Sequence, residues 1–346
     1  MSLTKKNYKD LIDELDNVGK PLIFFHDDTD GVCSFLQFYS YLHDGYGVIV
    51  KSRPLIDNKF LKKVKEYQPD KIFILDIAML DQDFVNDAKT PIVWLDHHPV
   101  QEIHNVKYFN PRFKDPDKNE CVAYLTYKTV KKKIWIAMVG CIGDMHWPKD
   151  LLKEFRKEYL DLLPENIKDA RTALYESDIG KIAQIFNAVL KGTSNEAMKY
   201  VKALTRVQEP YEILNQTDPR GKFIYKRFKK IDQEYQKILK NAIEFVTDDK
   251  LILYKYKDNK IAFSGDLANE LIYKYPDKLI IIAREHGGEF KCSFRSKNIP
   301  IPPIIQKALI DCEGYGGGHE FAAGGAIKSR DFDRFIENFK KHLNNI

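Results

Sequence analysis

The chain has 346 residues, of which 44% are hydrophobic and 30% are charged, and its formal net charge is +5. This composition is typical of a globular protein, and no apolar run reaches the roughly 20 residues of a membrane-spanning helix. The length predicts two domains, and the charge permits but does not demand binding to a phosphate backbone. The first 20 residues lack the apolar core of a signal peptide, so we expect a cytoplasmic protein. Five cysteines, far apart in the sequence, fit neither a disulfide framework nor a zinc ribbon.

Short apolar runs alternate with helical patterns through the first half of the chain. Four of these runs predict strands, at residues 22–25, 48–50, 72–75 and 92–95. Such alternation predicts a parallel sheet with helices on both faces, whose ligands bind beyond the carboxyl ends of the strands. Acids or histidines follow three of the runs, at residues 26–30, 76 and 96–98. We therefore expect the chemistry to lie at one rim of this sheet.

The middle of the chain, residues 151–246, has a helical pattern. From Ile224 to Phe245 apolar residues recur at spacings of four and three, which predicts one long amphipathic helix. Its basic residues between 222 and 230 form either a solvated face or a nucleic-acid track. Residues 251–346 return to a β-rich pattern. The expected fold class is α/β, with an N-terminal parallel-sheet domain, a helical connector and a smaller mixed α/β C-terminal domain.

The predicted rim carries a cluster typical of metal ligands. His26, Asp28 and Asp30 stand at alternate positions where a strand gives way to a helix, and Gly31 permits a close approach of the backbone. Taken alone, this segment also fits a helix N-cap. Further carboxylate and imidazole groups follow two other strands, at Asp76 and at residues 96–98. This mixture of ligands suits Mn²⁺ or a similar divalent ion better than Ca²⁺ or structural Zn²⁺, and two such ions would fit.

Four ordered segments resemble the motifs of DHH superfamily phosphoesterases: HDDTDG at 26–31, LD at 75–76, DHHP at 96–99 and GCIGD at 140–144. The run GYGGGHEFAAGG, which contains GGGH at 316–319, resembles the glycine-rich element of the DHHA1 accessory domain. RecJ-like exonucleases carry both domains, so the chain is identified as a RecJ-like member of the superfamily. The implied organisation is a DHH catalytic domain at 1–165, a helical region with a long connector helix at 166–246, and a DHHA1 substrate-binding domain at 247–346.

The resemblance also implies roles for individual residues. The implied metal ligands are His26, Asp28, Asp30, Asp76, His97 and Asp144. Asp76 is expected to bridge both ions, Asp96 to orient an imidazole, and His98 to donate a hydrogen bond to the scissile phosphate. The first motif is a short form with two residues from His26 to Asp28, so His26 either ligates directly or hydrogen-bonds behind the ligands. His146, two positions after Asp144, either belongs to the rim or is structural.

Substrate contacts are expected in the C-terminal domain. Arg295 and Ser296 resemble the family's S-x-R-S element, in which the guanidinium would pair with a phosphate, although a plain surface arginine is the alternative. The glycines of the expected loop would let backbone N–H groups approach the substrate, with an imidazole as a further donor. These loop residues are Gly316, Gly317, Gly318 and His319. The Asn110-Pro111-Arg112 segment is interpreted as a structural turn.

The implied activity is Mn²⁺-dependent exonuclease action on single-stranded DNA, with RNA as a further substrate, that releases 5′-mononucleotides. The resemblance to compact archaeal proteins favours 3′→5′ polarity and a role in DNA repair or replication, with a Hef-like helicase or GINS as partner. Mg²⁺ could replace Mn²⁺; no membrane partner is expected, and homo-oligomerisation is left open. The alternatives are a phosphodiesterase for very short RNAs or cyclic dinucleotides, and an inactive Cdc45-like replication scaffold, which the retained ligands disfavour.

Overall fold

A computed structural model of the protein describes residues 3–51, 55–257 and 261–343. The chain forms two compact units, Met1–Lys229 and Lys230–Ile346. Nowhere in the described ranges is there a helix with both the length and the apolar character needed to cross a bilayer. The mixed α/β architecture confirms the predicted fold class.

The first unit is built on a parallel sheet. In chain order its strands are β1 (Pro21–His26), β2 (Tyr46–Val50), β3 (Leu55–Ile56), β4 (Lys71–Leu75), β5 (Met79–Leu80), β6 (Ile92–Leu95) and β7 (Lys107–Phe109). The sheet has the order β2-β1-β4-β6-β7, and all its pairs are parallel. A separate parallel pair joins β3 to β5. The four predicted strands are confirmed, whereas β3, β5 and β7 were not predicted because two or three residues show no periodicity.

Helices cover this sheet and continue beyond it. They are α1 (Lys5–Asp16), α2 (Thr29–Leu42), α3 (Leu61–Tyr67), α4 (Gln82–Ala88), α5 (Val122–Val130), α6 (Ile134–Gly143), α7 (Lys149–Glu158), α8 (Ala170–Glu176), α9 (Asp178–Leu190), α10 (Ser194–Leu204), α11 (Pro210–Leu214) and α12 (Pro219–Glu244). The long helix predicted from the sequence is confirmed as α12. The boundary between the two units falls within this helix. Phe245, assigned to it from the sequence, lies one residue beyond its end and is 61% exposed.

The order of the strands determines where a ligand can bind. From β1 the chain reaches β2 on one side and then returns to β4 on the other side, so the strand order reverses between β1 and β4. In open α/β sheets ligands bind in the crevice at this point, outside the carboxyl ends of the strands. Phe24 and Ile74, on β1 and β4, are fully buried, and each such side chain stabilises the sheet by about 1.5–3 kcal/mol. The rim is therefore attached to a rigid core.

The second unit contains a mixed sheet. Its elements after α12 are β8 (Leu251–Lys257), α13 (Ser264–Lys274), β9 (Leu279–His286), β10 (Glu289–Arg295), α14 (Pro302–Ala308), β11 (Gly314–His319), β12 (Ala322–Lys328) and α15 (Phe332–Leu343). The strand order is β11-β12-β10-β9-β8, where β8 and β9 are parallel and the other pairs antiparallel. Aromatic residues of α15, Phe332, Phe335 and Phe339, pack in its core.

The glycine-rich segment corrects the sequence interpretation, because it forms the edge strand β11 and not a loop. Gly316 and Gly317 pair with Gly325 and Gly324 of β12. The ladder can form because backbone hydrogen bonds need no side chain, and the facing strand is also made of small residues. Gly318 has φ 146°, and a Cβ there would lie 2.6 Å from the carbonyl oxygen of Ala322, so this position requires glycine.

Candidate metal centre

Three neighbouring strands bring polar side chains to the same rim of the first unit. His26 is the last residue of β1, Asp76 follows β4, and Asp96 follows β6. Asp76 adopts a left-handed conformation with φ 58°, which aspartate tolerates better than most residues. Its N–H donates to the carbonyl oxygen of Leu95 at 3.1 Å, which fixes this unusual backbone beside β6. The Asp76 carboxylate is held at the reversal of strand order.

The two carboxylate oxygens of Asp76 face different histidines. Oδ2 lies 3.7 Å from Nδ1 of His26, and Oδ1 lies 3.4 Å from Nε2 of His97. Asp76 is only 1% exposed, and its Oδ2 has no hydrogen-bond partner among the described residues. A buried carboxylate oxygen without a partner is costly, so a cation is the expected compensation.

Asp28 makes two contacts at the start of α2, a hydrogen bond that caps the helix and a contact with the ring of His26. Its Oδ1 accepts a hydrogen bond from the N–H of Gly31 at 2.9 Å, which caps the helix, as one sequence interpretation proposed. Its Oδ2 lies 2.7 Å from Nδ1 of His26. A Cβ on Gly31 would lie 2.5 Å from the carbonyl oxygen of His26, so glycine is required for this tight turn. The N-cap and the cluster of candidate ligands therefore coexist.

Asp30 points to the start of helix α5. Its two oxygens accept hydrogen bonds from the N–H groups of Val122 and Ala123, both at 2.7 Å. The positive end of the helix dipole stabilises a carboxylate at this place. Gly140 of α6 is needed nearby, because a Cβ there would lie 2.3 Å from Cβ of Ala123. The close packing of α5 and α6 thus positions Asp30, which retains lone pairs for a cation.

Asp144 completes the cluster at the C-terminal end of α6. Its Oδ2 lies 3.8 Å from Nδ1 of His97 and, like Oδ2 of Asp76, is buried without a hydrogen-bond partner in the described part of the chain. Asp144, Asp30 and Cys121 offer ligand atoms that lie within 4.8 Å of one another. The Cys121 sulfur is also 3.4 Å from that of Cys141, a proximity that the sequence spacing did not predict.

Both histidines of the DHH segment are oriented by neighbours. Nδ1 of His97 lies 3.0 Å from Oδ1 of Asn119, so its Nε2 faces Asp76. Nδ1 of His98 lies 2.8 Å from Oδ1 of Asp96, whose Oδ2 accepts from the N–H of His98 at 3.0 Å. Asp96 is fully buried and holds His98 through both oxygens. This geometry agrees with the expected orienting role of Asp96, which stays a proposal.

The Asn110-Pro111-Arg112 segment supports the backbone of the DHH segment. Asn110 donates from Nδ2 to the carbonyl oxygen of His98 at 2.9 Å, and Arg112 donates from Nε to that of His97 at 2.7 Å. The sequence interpretation as a structural turn agrees with these contacts. The turn therefore stabilises the position of both histidines.

The electrostatics of the cluster show an excess of negative charge. Burial lowers the pKa of His97, but its hydrogen bond to Asp76 and the charge of Asp144 outweigh this and hold the pKa well above its usual range. The pKa of His26 is raised for similar reasons. Burial and the Asp76 carboxylate raise the pKa of Asp144 to about 7, although His97 opposes them, and the pKa of Asp30 is also raised. Protons or metal cations must compensate this charge.

The cluster fits divalent cations on these observations. Two groups of potential ligands share Asp76, namely His26 with Asp28 and His97 with His98, and the group around Asp30 and Asp144 lies next to them. Carboxylates and imidazoles together are ligands that Mn²⁺ accepts readily. All six residues predicted as ligands, His26, Asp28, Asp30, Asp76, His97 and Asp144, thus belong to one cluster.

Some contacts at this rim had no signal in the sequence. Lys51, just after β2, donates from Nζ to Asp27 at 3.1 Å and to the carbonyl oxygen of Leu190 at 2.7 Å, and so fixes Asp27 beside His26. His146 has a buried Nε2 without a hydrogen-bond partner among the described residues, and burial lowers its pKa to about 4. Its ring lies 5.5 Å from that of Tyr124.

The second unit holds the predicted substrate residues. Arg295 ends β10 and donates from Nε to Oδ1 of Asn269 at 2.6 Å and from Nη1 to the carbonyl oxygen of Phe294 at 2.8 Å. The Ser296 hydroxyl accepts from the N–H of Ile299 at 2.8 Å and stabilises the following turn. Arg295 is therefore held in one orientation.

On β11, Gly316 is required by packing, since a Cβ there would lie 2.8 Å from Cγ2 of Ile305. A Cβ on Gly317 would contact nothing within 4 Å. Gly318 and His319 at the end of β11 are exposed. Neither chain packing nor a left-handed conformation explains the glycine at 317, so it leaves space that a ligand can use.

Two family models match the chain. The DHH family N-terminal domain matches residues 20–163, and the DHHA1 domain matches residues 228–345. The chain therefore carries a DHH family N-terminal domain and a DHHA1 domain, in the order that its motifs predict. No curated protein matches it by sequence.

Solved structures share the fold. RecJ of Thermus thermophilus in complex with Mn²⁺ superposes with a TM-score of 0.70 at 16% identity over 99% of this chain and 55% of its own. Exonuclease RecJ bound to manganese gives 0.63 at 15% identity, over 100% and 96%. PggH, a pGpG-specific phosphodiesterase of Vibrio cholerae, gives 0.50 at 13% identity, over 94% and 99%. The chain thus spans about half of the Thermus protein and shares the fold of these structures.

Proposed function

We propose that the protein is a metal-dependent exonuclease that hydrolyses single-stranded DNA, and also RNA, from the 3′ end and releases 5′-mononucleotides. The observation that carries this proposal is Asp76, a buried carboxylate whose two oxygens face two different histidines and whose Oδ2 lacks a partner in the described chain. The RecJ relatives, one an exonuclease bound to manganese, support the reaction type. The polarity rests on the resemblance to compact archaeal proteins.

Six side chains would hold two Mn²⁺ or Mg²⁺ ions, with Asp76 shared between them. His26 and Asp28 lie on the Oδ2 side of Asp76, and His97 lies on its Oδ1 side. Asp30 and Asp144 complete the second group. When bound, such ions supply Lewis acidity that lowers the pKa of a water molecule and neutralises charge on the phosphoryl group.

His98 would bind the scissile phosphate. Asp96 engages its Nδ1 at 2.8 Å, so Nε2 is the ring nitrogen available to donate. Burial lowers the pKa of His98, but Asp96 outweighs burial and the pKa is raised, which favours the protonated donor. A charge-assisted hydrogen bond to phosphate is stronger than a neutral one. Asp96 and His98 would then stabilise the negative charge as the phosphodiester is attacked.

The second unit would bind the substrate away from the reacting bond. Arg295, held by Asn269, presents a guanidinium that suits phosphate oxygens, and the open space at Gly317 permits a close backbone approach. Ser296, Gly316, Gly318 and His319 complete the proposed binding segment. Single-stranded nucleic acid is the proposed partner, in repair or replication beside a Hef-like helicase or GINS.

A second candidate is a phosphodiesterase for very short RNAs or cyclic dinucleotides. The structural likeness to PggH favours it, because that enzyme is pGpG-specific. Both activities use the same metal centre and differ in how the length of the substrate is sensed. Rates on a dinucleotide and on a long oligomer separate them, since an exonuclease keeps its rate as the substrate lengthens.

The direct test is a nuclease assay on end-labelled single strands with and without Mn²⁺. We expect shortening from the 3′ end that requires the metal and is lost in Asp76→Ala. Asp81→Asn is the matched control, because Asp81 caps α4 and asparagine caps as well. Shortening only from the 5′ end would overturn the polarity. If the protein hydrolyses none of the single strands and dinucleotides tested, an inactive Cdc45-like scaffold becomes the favoured function.

A further inference from the structure

Two acidic residues of helix α7 are paired with residues outside the helix. Asp150 accepts a hydrogen bond from the Tyr124 hydroxyl at 2.9 Å and pairs with Lys128 at 2.8 Å. One turn later, Glu154 pairs with Lys131 at 3.7 Å. The partners belong to α5 and its C-cap. Asp150 and Glu154, two of the three acidic residues of α7, are therefore neutralised by its neighbour.

The basic face of α7 has no such partners. Lys149, Lys153 and Lys157, called the groove lysines, are exposed, and none pairs with a described acidic residue. They recur every four residues, so they lie on one face about 6 Å apart. Leu151 and Phe155 are buried and lie on another face of the helix. α7 thus presents a row of positive charge to the solvent.

The groove lysines line a groove of about 440 Å³ together with Trp147, Leu160 and Glu165. Arg156 shapes its wall, because it donates to the carbonyl oxygens of Leu163 and Ile167 at 3.1 and 2.8 Å. Leu160 is 51% exposed. The groove therefore combines a row of cations with apolar and aromatic surface, and Glu165 is its acidic residue.

Trp147 lines the groove and is close in sequence to the metal centre. It is part-exposed, whereas Trp94 and Trp135 are buried. Trp147 follows Asp144 by three residues, so their Cα atoms are at most roughly 11 Å apart. A ligand that stacks on Trp147 would thus begin close to the proposed ligands of the catalytic ions.

We propose that this groove binds one strand of nucleic acid, with the groove lysines on successive phosphates and a base stacked on Trp147. Grooves that combine positive charge with aromatic side chains bind single strands without sequence preference. The proposal rests on the proposed function, because the strand in the groove is the substrate whose end reaches the metal centre. Duplex lacks exposed base faces, so it cannot use Trp147 in this way.

The test measures binding by fluorescence anisotropy, with a labelled single strand of about a dozen nucleotides and EDTA present to prevent hydrolysis. Changing the three groove lysines to Gln should weaken binding at least about tenfold and lower the slope of log K against log salt by about 2. The matched control changes the exposed Lys5, Lys6 and Lys9 of α1 to Gln, which removes the same charge from another helix. Wild-type affinity and slope in the groove variant, or an equal loss in the control, would overturn the proposal.

Tryptophan fluorescence tests the stacking separately. The strand should quench the emission of the wild-type protein and leave that of Trp147→Phe unchanged, since the other two tryptophans are buried. Wild-type emission that does not respond would refute the role of Trp147. Hydrolysis of a dinucleotide with Mn²⁺ should survive in the groove variant. If the wild type cleaves nothing, the proposed function fails, while the EDTA binding data still decide the groove.

Discussion

Replacing Asp144 by asparagine should make the metal-free protein more stable and its metal-bound form less so. Burial raises the pKa of Asp144 from 3.8 to about 7, with His97 opposing and the Asp76 carboxylate adding to the rise. A raised acid pKa favours folding below pH 3.8, and this contribution is lost as the pH rises to about 7. Near pH 8 the charged Asp144 therefore destabilises the metal-free fold by no more than about 4 kcal/mol.

Solvent screening reduces this value, because the Asp144 side chain is 27% exposed. We take about 2 kcal/mol for the destabilisation by charged Asp144, which in a unit of this size lowers the Tm by about 4–8 °C. Asparagine has the same shape without the charge, so Asp144→Asn in EDTA should gain that amount near pH 8 and little near pH 5. Saturating Mn²⁺ should raise the Tm of the wild type and raise that of the variant much less.

Thermal unfolding followed by tryptophan fluorescence is suited to this measurement, because Trp94, Trp135 and Trp147 all lie in the first unit. Asp81→Asn serves again as the control and should match the wild type with and without metal. Equal Tm values for the wild type and Asp144→Asn at pH 8 in EDTA would refute the electrostatic argument. An undiminished Mn²⁺ effect in Asp144→Asn would refute the role of Asp144 as a ligand.

Two substitutions and one pH series test other parts of the two sites. Asp96→Asn keeps only one of the two hydrogen bonds to His98, so kcat should fall about 10- to 100-fold while the Mn²⁺-dependent rise in Tm persists. Gly317→Ala should weaken oligonucleotide binding, whereas Gly265→Ala, which also has open space for a Cβ, should leave this binding unchanged. The affinity for Mn²⁺, measured by calorimetry, should fall below about pH 7, because protons compete for the raised-pKa groups; a pH-independent affinity would contradict this.

The sequence was most informative where apolar runs and polar residues alternate along a parallel sheet. β1, β4 and β6 were predicted because their interiors are continuous apolar runs, and the acids and histidines after them had to share one rim. The order of the four motifs then predicted which residues lie together at this rim. β7 escaped prediction, because its three residues depend on pairing with β6 and not on a local pattern.

Contacts between distant segments could not be predicted. The bonds from the Val122 and Ala123 amides to Asp30 join residues more than 90 positions apart and depend on how α5 packs. Lys51 reaches Asp27 and Leu190 through tertiary structure alone. The strand at 314–319 was hidden by its glycines, which predict turns unless a strand of small residues pairs with them.

The six side chains of the metal centre are proposed to bind two divalent cations with Asp76 between them. The most direct measurement is the metal content of the protein after equilibrium dialysis against Mn²⁺, for the wild type and for Asp76→Asn. We expect two ions per chain in the wild type and none in the variant, because both groups of ligands share this carboxylate. A single ion in the wild type, or two ions retained by Asp76→Asn, would contradict it.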